Sequence, residues 1–246
     1  MQLEILVLSK PGGRQVNEDA CGCWSGPEAS FCILSDGAGG HDGGDVASKI
    51  VVRHVLDWFH DSPECSAQSI EAALRSANAA LIDGQRRDAR LADMRATVVV
   101  LAIDSKHGQA VWGHLGDSRL YLFRHGRIVT QTRDHSVVQN MVDAGYLQSH
   151  ELRTSPHRSQ LFAALGNDDD FEPRIEPVKS DLQDGDVFLL CSDGLWEYVD
   201  EDELEGTLKA TASGADWLQA LESQVLANGH KGQDNYSAIA IFCRDA

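Results

Sequence analysis

The sequence is poor in positive charge and has no long hydrophobic run. Lys and Arg number 21 against 38 Asp and Glu, so the formal net charge is −17. A surface of this sign repels nucleic-acid phosphates and anionic lipid headgroups, which argues against nucleic-acid binding and membrane binding. No apolar stretch approaches the roughly 20 residues that span a bilayer. Residues 1–13 lack the basic start and the small-residue cleavage site of a signal peptide.

Cysteine is present but lacks the spacing of a disulfide framework or a metal site. The six cysteines include no C-x-x-C pair; they are Cys21, Cys23, Cys32, Cys65, Cys191 and Cys243. Three of them, at positions 32, 191 and 243, lie in apolar strand-like runs, where cysteine usually serves as a small core residue. The sequence therefore predicts reduced, structural thiols and a cytoplasmic protein.

Linkers, internal repeats and low-complexity segments are also missing, which predicts a single domain over residues 1–246. Runs rich in Val, Ile and Leu predict strands at 3–8, 31–35, 97–103, 109–115, 118–123, 127–131, 187–191 and 236–243. Amphipathic spacing predicts helices at 45–60, 67–91, 201–209 and 214–227. Short turns join consecutive strands, so the order favours antiparallel sheets with helices packed on their faces, an α+β fold.

Residues 134–173 interrupt this pattern of regular elements. A short helix is predicted at 136–144, but the rest of the segment is polar and irregular. Long irregular segments in compact domains are usually functional lids or disordered loops. We therefore predict that residues 134–173 form a mobile flap.

The most informative stretch is 31–45, FCILSDGAGGHDGGD, in which an apolar run ends in Ser-Asp-Gly. A dinucleotide-binding loop is disfavoured, because Asp42 stands where G-x-G-x-x-G needs its third glycine and carboxylates repel a pyrophosphate. A calcium-binding Gly/Asp repeat needs several copies, and the sequence has one. The favoured alternative makes Asp36 a strand-end carboxylate that bridges two divalent cations, beside glycines that let the backbone approach closely.

Further acidic residues stand at the ends of other predicted strands. They are Glu18, Asp19, Asp117, Asp193 and Asp234, and Asp193 repeats the apolar-Ser-Asp-Gly pattern. A single Asp at a turn is most often a cap, but clustered carboxylates repel one another unless hard cations neutralise them. An all-oxygen ligand set favours Mg²⁺ or Mn²⁺ over Zn²⁺.

Seven stretches in order resemble the motifs of the metal-dependent protein phosphatases, the PPM or protein phosphatase 2C family. They are RQVNEDA, LSDGAGGHDGGDVAS, GHLGDSRLYLF, TRDHS, ALGND, DGDVFLLCSDGLWEYV and GQDNYSAIAI, and together they span roughly residues 5 to 243. The short chain and the DGxGGH form resemble the bacterial serine/threonine phosphatases of this family. The resemblance implies a four-layer α-β-β-α sandwich, in which helix pairs flank two antiparallel sheets and metals lie in a cleft at one end.

The resemblance also implies a role for each candidate site residue. Asp36 would bridge two metals, with the carbonyl of Gly37 as a further ligand. Asp193 and Asp234 would complete the shell of one metal. Glu18 and Asp19 would act on the other side, directly or through waters, and Asp117 would help to hold a third ion. Arg14 would bind the substrate phosphate, since a planar guanidinium suits bidentate pairing with it.

The sequence departs from the family pattern in two places. Arg95-Ala96-Thr97 replaces the usual GTT or GST, and we expect this stretch to touch no metal ligand. Ala38 follows Asp36-Gly37, where eukaryotic members often carry His. A general-acid role therefore falls to His41, to another residue or to water.

The implied activity is hydrolysis of phosphoserine and phosphothreonine on proteins by a water that two metals activate. The implied partners are phosphorylated proteins and a bacterial serine/threonine kinase or its targets, and we expect a monomer. Two rival functions are a catalytically inactive relative that serves as a binding module and a two-metal nuclease. No metal carboxylate is missing, which disfavours the first, and the charge of −17 disfavours a polynucleotide substrate.

Overall fold

Two antiparallel β-sheets stand at the centre of the structure, a computed structural model that describes residues 1–39, 43–167, 171–177 and 181–245. The first sheet runs in the order β1 (Gln2–Lys10), β11 (Tyr236–Arg244), β10 (Val187–Cys191), β7 (Arg119–Arg124) and β8 (Arg127–Gln131). The second runs in the order β2 (Asp19–Ser25), β3 (Ala29–Ala38), β5 (Val98–Asp104), β6 (Gln109–Leu115) and β9 (Arg174–Pro177), and β4 (Arg95–Ala96) pairs with the end of β3. Strand β1 lies at the edge of the first sheet and pairs with β11, so this sheet joins the first and last strands of the chain order.

Helices cover the outer faces of the two sheets. The helices are α1 (Gly44–Asp61), α2 (Ala67–Arg87), α3 (Val137–Asp143), α4 (Asp193–Trp196), α5 (Glu201–Ala210) and α6 (Gly214–Asn228). Ser66 is the N-cap of α2, because its hydroxyl accepts a hydrogen bond from the amide of Ser69. Among the residues that the structure describes, no helix combines the length and apolar character needed to cross a membrane.

Three clusters of buried apolar side chains pack between the layers. Phe31, Val51 and Leu74 belong to the cluster between α1, α2 and the second sheet. A central cluster lies between the two sheets, and a third, which includes Trp217, lies between the first sheet and α4 to α6. The order of layers is helices, sheet, sheet, helices, so the predicted four-layer α+β sandwich is confirmed.

The sequence patterns missed β2, β4, β9 and α4, and placed the end of α2 four residues too late. Strand β2 reads DACGCWS and lacks the branched aliphatic residues that mark a strand. Its Gly22 has a structural reason, because a Cβ there would lie 2.6 Å from Leu56 Cδ1 and 2.7 Å from Val52 Cγ1 of α1. Helix α2 ends at Arg87 because Asp88 adopts an extended conformation and caps a short 3₁₀ helix instead.

The described part of the segment predicted as a flap contains α3, close to the predicted helix at 136–144, and otherwise only short or irregular elements before β9. Its described part is tied to the body of the protein at several points. Arg153 Nε donates to the carbonyl oxygen of Trp196 at 2.8 Å, and the amide of Phe162 donates to the carbonyl of His135. The mobility of this flap stays a prediction.

Candidate active site

Asp19 and Asp36 face each other across neighbouring strands of the second sheet. They are register partners in the β2–β3 pair. The amide of Gly37 donates to the carbonyl of Glu18 at 3.1 Å, which makes 18–37 a hydrogen-bonded pair. Because such pairs alternate along an antiparallel ladder, Asp19 and Asp36 form a non-hydrogen-bonded pair, with Cα atoms about 4.5 Å apart and adjacent side chains. Two carboxylates thus meet at this end of the sheet.

The first sheet contributes Asp193 and Asp234 at the same end. Asp193 is the first residue of α4, two residues after β10, and Asp234 lies two residues before β11. Ser192 connects the two sheets, because its hydroxyl donates to Asp19 Oδ2 at 2.7 Å and accepts the amide of Ser237 at 3.0 Å. Ser192 holds one carboxylate oxygen of Asp19, and the sequence patterns gave it no role.

Asp117 lies in the turn between β6 and β7 and is buried, with 4% of its surface exposed. The indole of Trp196 donates to the Asp117 carbonyl at 2.9 Å, and the amide of Gly116 donates to His135 Nδ1 at 3.0 Å. Gly116 has a φ of +105°, a left-handed conformation that favours glycine. The turn that carries Asp117 is therefore held from two sides.

Thr97 links the strand end of Asp36 to the turn of Asp117. Its hydroxyl accepts the Asp36 amide at 3.1 Å and shares a hydrogen bond with the Ser118 hydroxyl at 2.7 Å, and its own amide donates to the Asp36 carbonyl. The stretch 95–97 therefore contacts Asp36, one of the candidate metal ligands, although the sequence predicted that it would touch none of them. A side-chain hydrogen bond to a backbone amide leaves no periodic signal in the sequence, so pattern analysis could not assign it.

Arg14 lines the same cleft, beside Asp234. Its Nη2 donates to Asp234 Oδ2 at 2.9 Å, and the two side chains are 55% and 47% exposed. Asn235 fixes the chain around Arg14, because its amide nitrogen donates to the carbonyls of Pro11 and Val16, and its oxygen accepts the Glu18 amide. Like Ser192, Asn235 was not predicted as a site residue.

A cleft of about 610 Å³ brings most of the predicted residues together. Its lining includes Arg14, Glu18, Asp36, Gly37, Asp117, Asp193 and Asp234. Residues of the flap, among them Leu161 and Phe162, form another wall. Asp19 is buried beside Asp36, and His41 lies outside the described residues.

Burial and mutual repulsion raise the pKa values of the acidic side chains. Burial raises the pKa of Asp36 and of Asp193 well above the usual range, and neighbouring carboxylates raise both further. Burial raises the pKa of Asp19 to about 6 and that of Asp117 to about 7. The pKa of Glu18 is raised by burial and by the charge of Asp234. Such a cluster ionises fully only when positive charge is added to it.

The donor atoms suit hard divalent cations. Asp19 Oδ1 and Asp193 Oδ1 are buried oxygens that find no hydrogen-bond partner in the part of the chain that the structure describes, although buried polar atoms are normally paired. A Cβ on Gly44 would lie 2.6 Å from the Glu18 carboxyl carbon and 2.7 Å from the Gly37 carbonyl oxygen, so glycine keeps that carbonyl and carboxylate accessible. As the side chains stand, no three acid, histidine or cysteine groups of the described segments converge on one ion position. Mg²⁺ commonly takes only one or two carboxylates and completes its shell with waters, so the residues fit such an ion.

We expect Mn²⁺ binding to release protons near pH 6. At pH 6 a carboxyl group with a pKa of about 6 is half protonated and one with a pKa of about 7 is mostly protonated, and both must ionise to bind a cation. In the metal-free protein the raised pKa values reduce stability as the pH rises from about 4 through 7, because only the unfolded chain ionises freely. The melting temperature gained by adding Mn²⁺ should therefore grow between pH 5.5 and pH 8. Calorimetric titration of the protein with Mn²⁺, in buffers of different ionisation enthalpy, measures the number of protons released. If the heat of Mn²⁺ binding at pH 6 were the same in all buffers, the prediction would be contradicted.

Comparisons with known proteins agree with this geometry. The family model described as protein phosphatase 2C matches residues 12–228. The serine/threonine phosphatase stp of Listeria welshimeri is 32% identical over 234 residues, which cover 93% of this chain and 90% of the relative.

Solved structures show the same similarity over the whole fold. The serine/threonine phosphatase PstP/Ppp of Mycobacterium tuberculosis is 30% identical, with a TM-score of 0.86 over 99% of both chains. The catalytic domain of PstP in complex with two manganese ions is also 30% identical, with a TM-score of 0.84 over 99% of both chains. The chain therefore belongs to the protein phosphatase 2C family, the family that its seven motifs predict.

Proposed function

We propose that this chain hydrolyses phosphoserine and phosphothreonine in proteins with the help of two divalent cations. One observation carries the proposal: carboxylates from the ends of both sheets meet in one cleft beside Arg14. The raised pKa values of Asp36 and Asp193 support a cationic occupant. The buried oxygens of Asp19 and Asp193, which have no hydrogen-bond partner among the described residues, support it too. Metal-dependent activity is also what membership of the family supports.

Each residue of the cleft has a separate task in this proposal. When bound, the two cations supply a water activated near neutral pH and positive charge for the phosphoryl oxygens. Asp36 would bridge the ions together with the Gly37 carbonyl, Asp193 and Asp234 would complete the shell of one ion, and Glu18 and Asp19 would serve the other. Arg14 would turn from Asp234 toward the substrate and bind phosphate oxygens through its planar guanidinium.

The proposal extends to the finer metal chemistry and to the proton donor. The oxygen-only donors suit Mn²⁺ or Mg²⁺, and Asp117 would help to hold a third ion, which its place in the cleft supports. We keep His41 as the proposed donor of a proton to the leaving oxygen, because imidazole titrates close to the working pH.

The substrates are proposed to be proteins that a serine/threonine kinase has phosphorylated. The named activity of the Listeria relative supports this, and the net charge of −17 disfavours the alternative of a nucleic-acid substrate. We further propose one domain over residues 1–246 with a flap near 134–173, acting as a cytoplasmic monomer. Six free cysteine thiols support a reducing compartment.

The direct test is the metal dependence of phosphopeptide hydrolysis. We expect the purified chain to release phosphate from a phosphothreonine peptide with Mn²⁺ or Mg²⁺ and to lose this activity in EDTA, since the candidate ligands are oxygen atoms that need a hard cation. Phosphate release is measured before and after chelation, and readdition of Mn²⁺ serves as the control for recovery. Undiminished turnover in EDTA would rule out the two-metal proposal.

A further inference from the structure

Arg95 lies in the stretch where this chain departs from the usual family motif. Strand β4 pairs Ala96 with Gly37 and Arg95 with Ala38 at the end of β3. At about 3.3 Å per residue, this register places Arg95 about 7 Å along the ladder from Asp36. Arg95 lines the same cleft as Arg14 and Asp36.

The guanidinium of Arg95 has no carboxylate partner among the described residues. Its one polar contact there is with the carbonyl of Met94, to which Nη1 donates at 2.9 Å. Arg14, the other arginine of the cleft, pairs with Asp234. Within the described ranges only Arg86 and Arg95 among the arginines form no ion pair, in a chain with 38 acidic residues.

The stem of Arg95 is held in place by the end of the flap. Ala96 and Leu165 form an isolated β-bridge, so β4 lies between β3 and the flap. A Cβ on Gly166 would lie 3.0 Å from Arg95 Cδ, so the stem passes directly over this glycine. Gln85 Nε2 donates to the carbonyls of both Met94 and Gly166 at 2.9 Å. The arginine is thus positioned before any substrate arrives.

We propose that Arg95 is a specificity residue that binds an acidic group close to the phosphorylated residue of the substrate. The inference rests on the proposed function, which places the phosphate at the carboxylate cluster and Arg14. Successive Cα atoms are 3.8 Å apart, so a separation of about 7 Å corresponds to a side chain one to three positions away in the peptide. A guanidinium fork binds planar carboxylates and phosphates, and the enzyme therefore prefers phosphopeptides with Asp, Glu or a second phosphate there.

The experiment compares kcat/KM for phosphothreonine peptides that differ at one position. Each flanking position from −3 to +3 carries Glu, Ala, Lys or a non-hydrolysable phosphonate analogue of phosphoserine in turn, in Mn²⁺ at low salt. We expect the parent protein to favour Glu over Ala by about threefold to fivefold at one position, the scale of an exposed ion pair. The phosphonate should match or exceed Glu there, since a guanidinium fork binds carboxylates and phosphates alike.

Variants of Arg95 and Arg86 separate the proposal from general electrostatics. Arg95→Ala should bring the Glu-to-Ala ratio to about one, and Arg95→Glu should reverse the preference toward Lys, while Arg86→Ala keeps the parent's ratio. An active enzyme with the same ratio in Arg95→Ala as in the parent would overturn the inference alone. Equal loss on all peptides in Arg95→Ala would overturn it too, because Arg95 would then serve the common phosphate. Failure to hydrolyse any phosphopeptide with Mn²⁺ would overturn the proposed function and this inference with it.

Discussion

Replacing Asp36 with Asn will lower kcat by about two orders of magnitude or more, the usual scale for losing a preorganised electrostatic group. The substitution keeps the volume of the side chain but removes one negative charge and one strong oxygen donor. Both cations then bind less tightly, and the attacking water is less activated. The loss should appear with saturating Mn²⁺ on a phosphothreonine peptide.

The same substitution should leave the metal-free protein at least as stable as the parent. Burial and the surrounding carboxylates raise the pKa of Asp36, so its charged form is disfavoured in the folded chain. Asn removes that repulsion. The measurement is the melting temperature in EDTA at pH 8, where the penalty of the charged form is largest.

Asp104 provides the matched control for this prediction. Its carboxylate accepts the amides of Lys106 and His107 at the end of β5, so it is an ordinary turn-capping aspartate. Asp104→Asn should lower the melting temperature and leave turnover unchanged, the opposite of Asp36→Asn. An Asp36→Asn protein that melts earlier than the parent and retains its turnover would show that Asp36 only caps a turn.

Most of the carboxylates in the cleft could be predicted because each follows or precedes a readable strand. Asp36 and Asp193 end apolar runs, and Asp234 precedes one, so their place at strand ends followed from local pattern. That the strand ends meet depends on the β1–β11 and β2–β3 pairings, which local pattern does not specify.

The residues that hold the carboxylates could not be predicted in the same way. Ser192, Asn235 and Thr97 act through hydrogen bonds to segments 173, 217 and 61 residues away in sequence. Polar residues at strand ends are common, and nothing in a single sequence identifies such distant partners. Strand β2 was missed for a related reason. Its Gly22 leaves room for the side chains of α1, a contact distant in sequence, and glycine does not mark a strand in a local pattern.

Arg119 and Asp134 form a buried ion pair that stabilises the base of the flap. Arg119 donates through Nε and Nη2 to the two carboxylate oxygens of Asp134 at 2.9 and 2.8 Å, and both side chains are at most 4% exposed. The guanidinium also donates to the Tyr121 hydroxyl and stacks on Trp196 at 3.7 Å. Trp196 in turn donates to the Asp117 carbonyl, so the pair connects the start of the flap with the turn that carries Asp117.

Arg119→Met should reduce the free energy of unfolding by about 3–5 kcal/mol, because it leaves the charge of Asp134 buried and unpaired. In a chain of this size that loss corresponds to a drop of roughly 10 °C in melting temperature. Urea unfolding of the metal-free protein measures the effect apart from metal binding. The double variant Arg119→Met/Asp134→Asn removes the uncompensated charge as well and should recover at least half of the loss.

An exposed pair of the same type sets the scale for comparison. Arg87 and Asp83 pair on the surface of α2 with side chains 78% and 52% exposed, so Arg87→Met should cost no more than about 0.5 kcal/mol. If Arg119→Met cost as little as Arg87→Met, the buried pair would have no special role in stability. If the double variant were as unstable as Arg119→Met alone, the loss would come from the stacking on Trp196 and not from the unpaired charge. If the double variant recovers free energy of unfolding, the loss in Arg119→Met comes from the unpaired charge of Asp134. The buried pair between the flap and the turn that carries Asp117 would then contribute to stability mainly by keeping that charge paired.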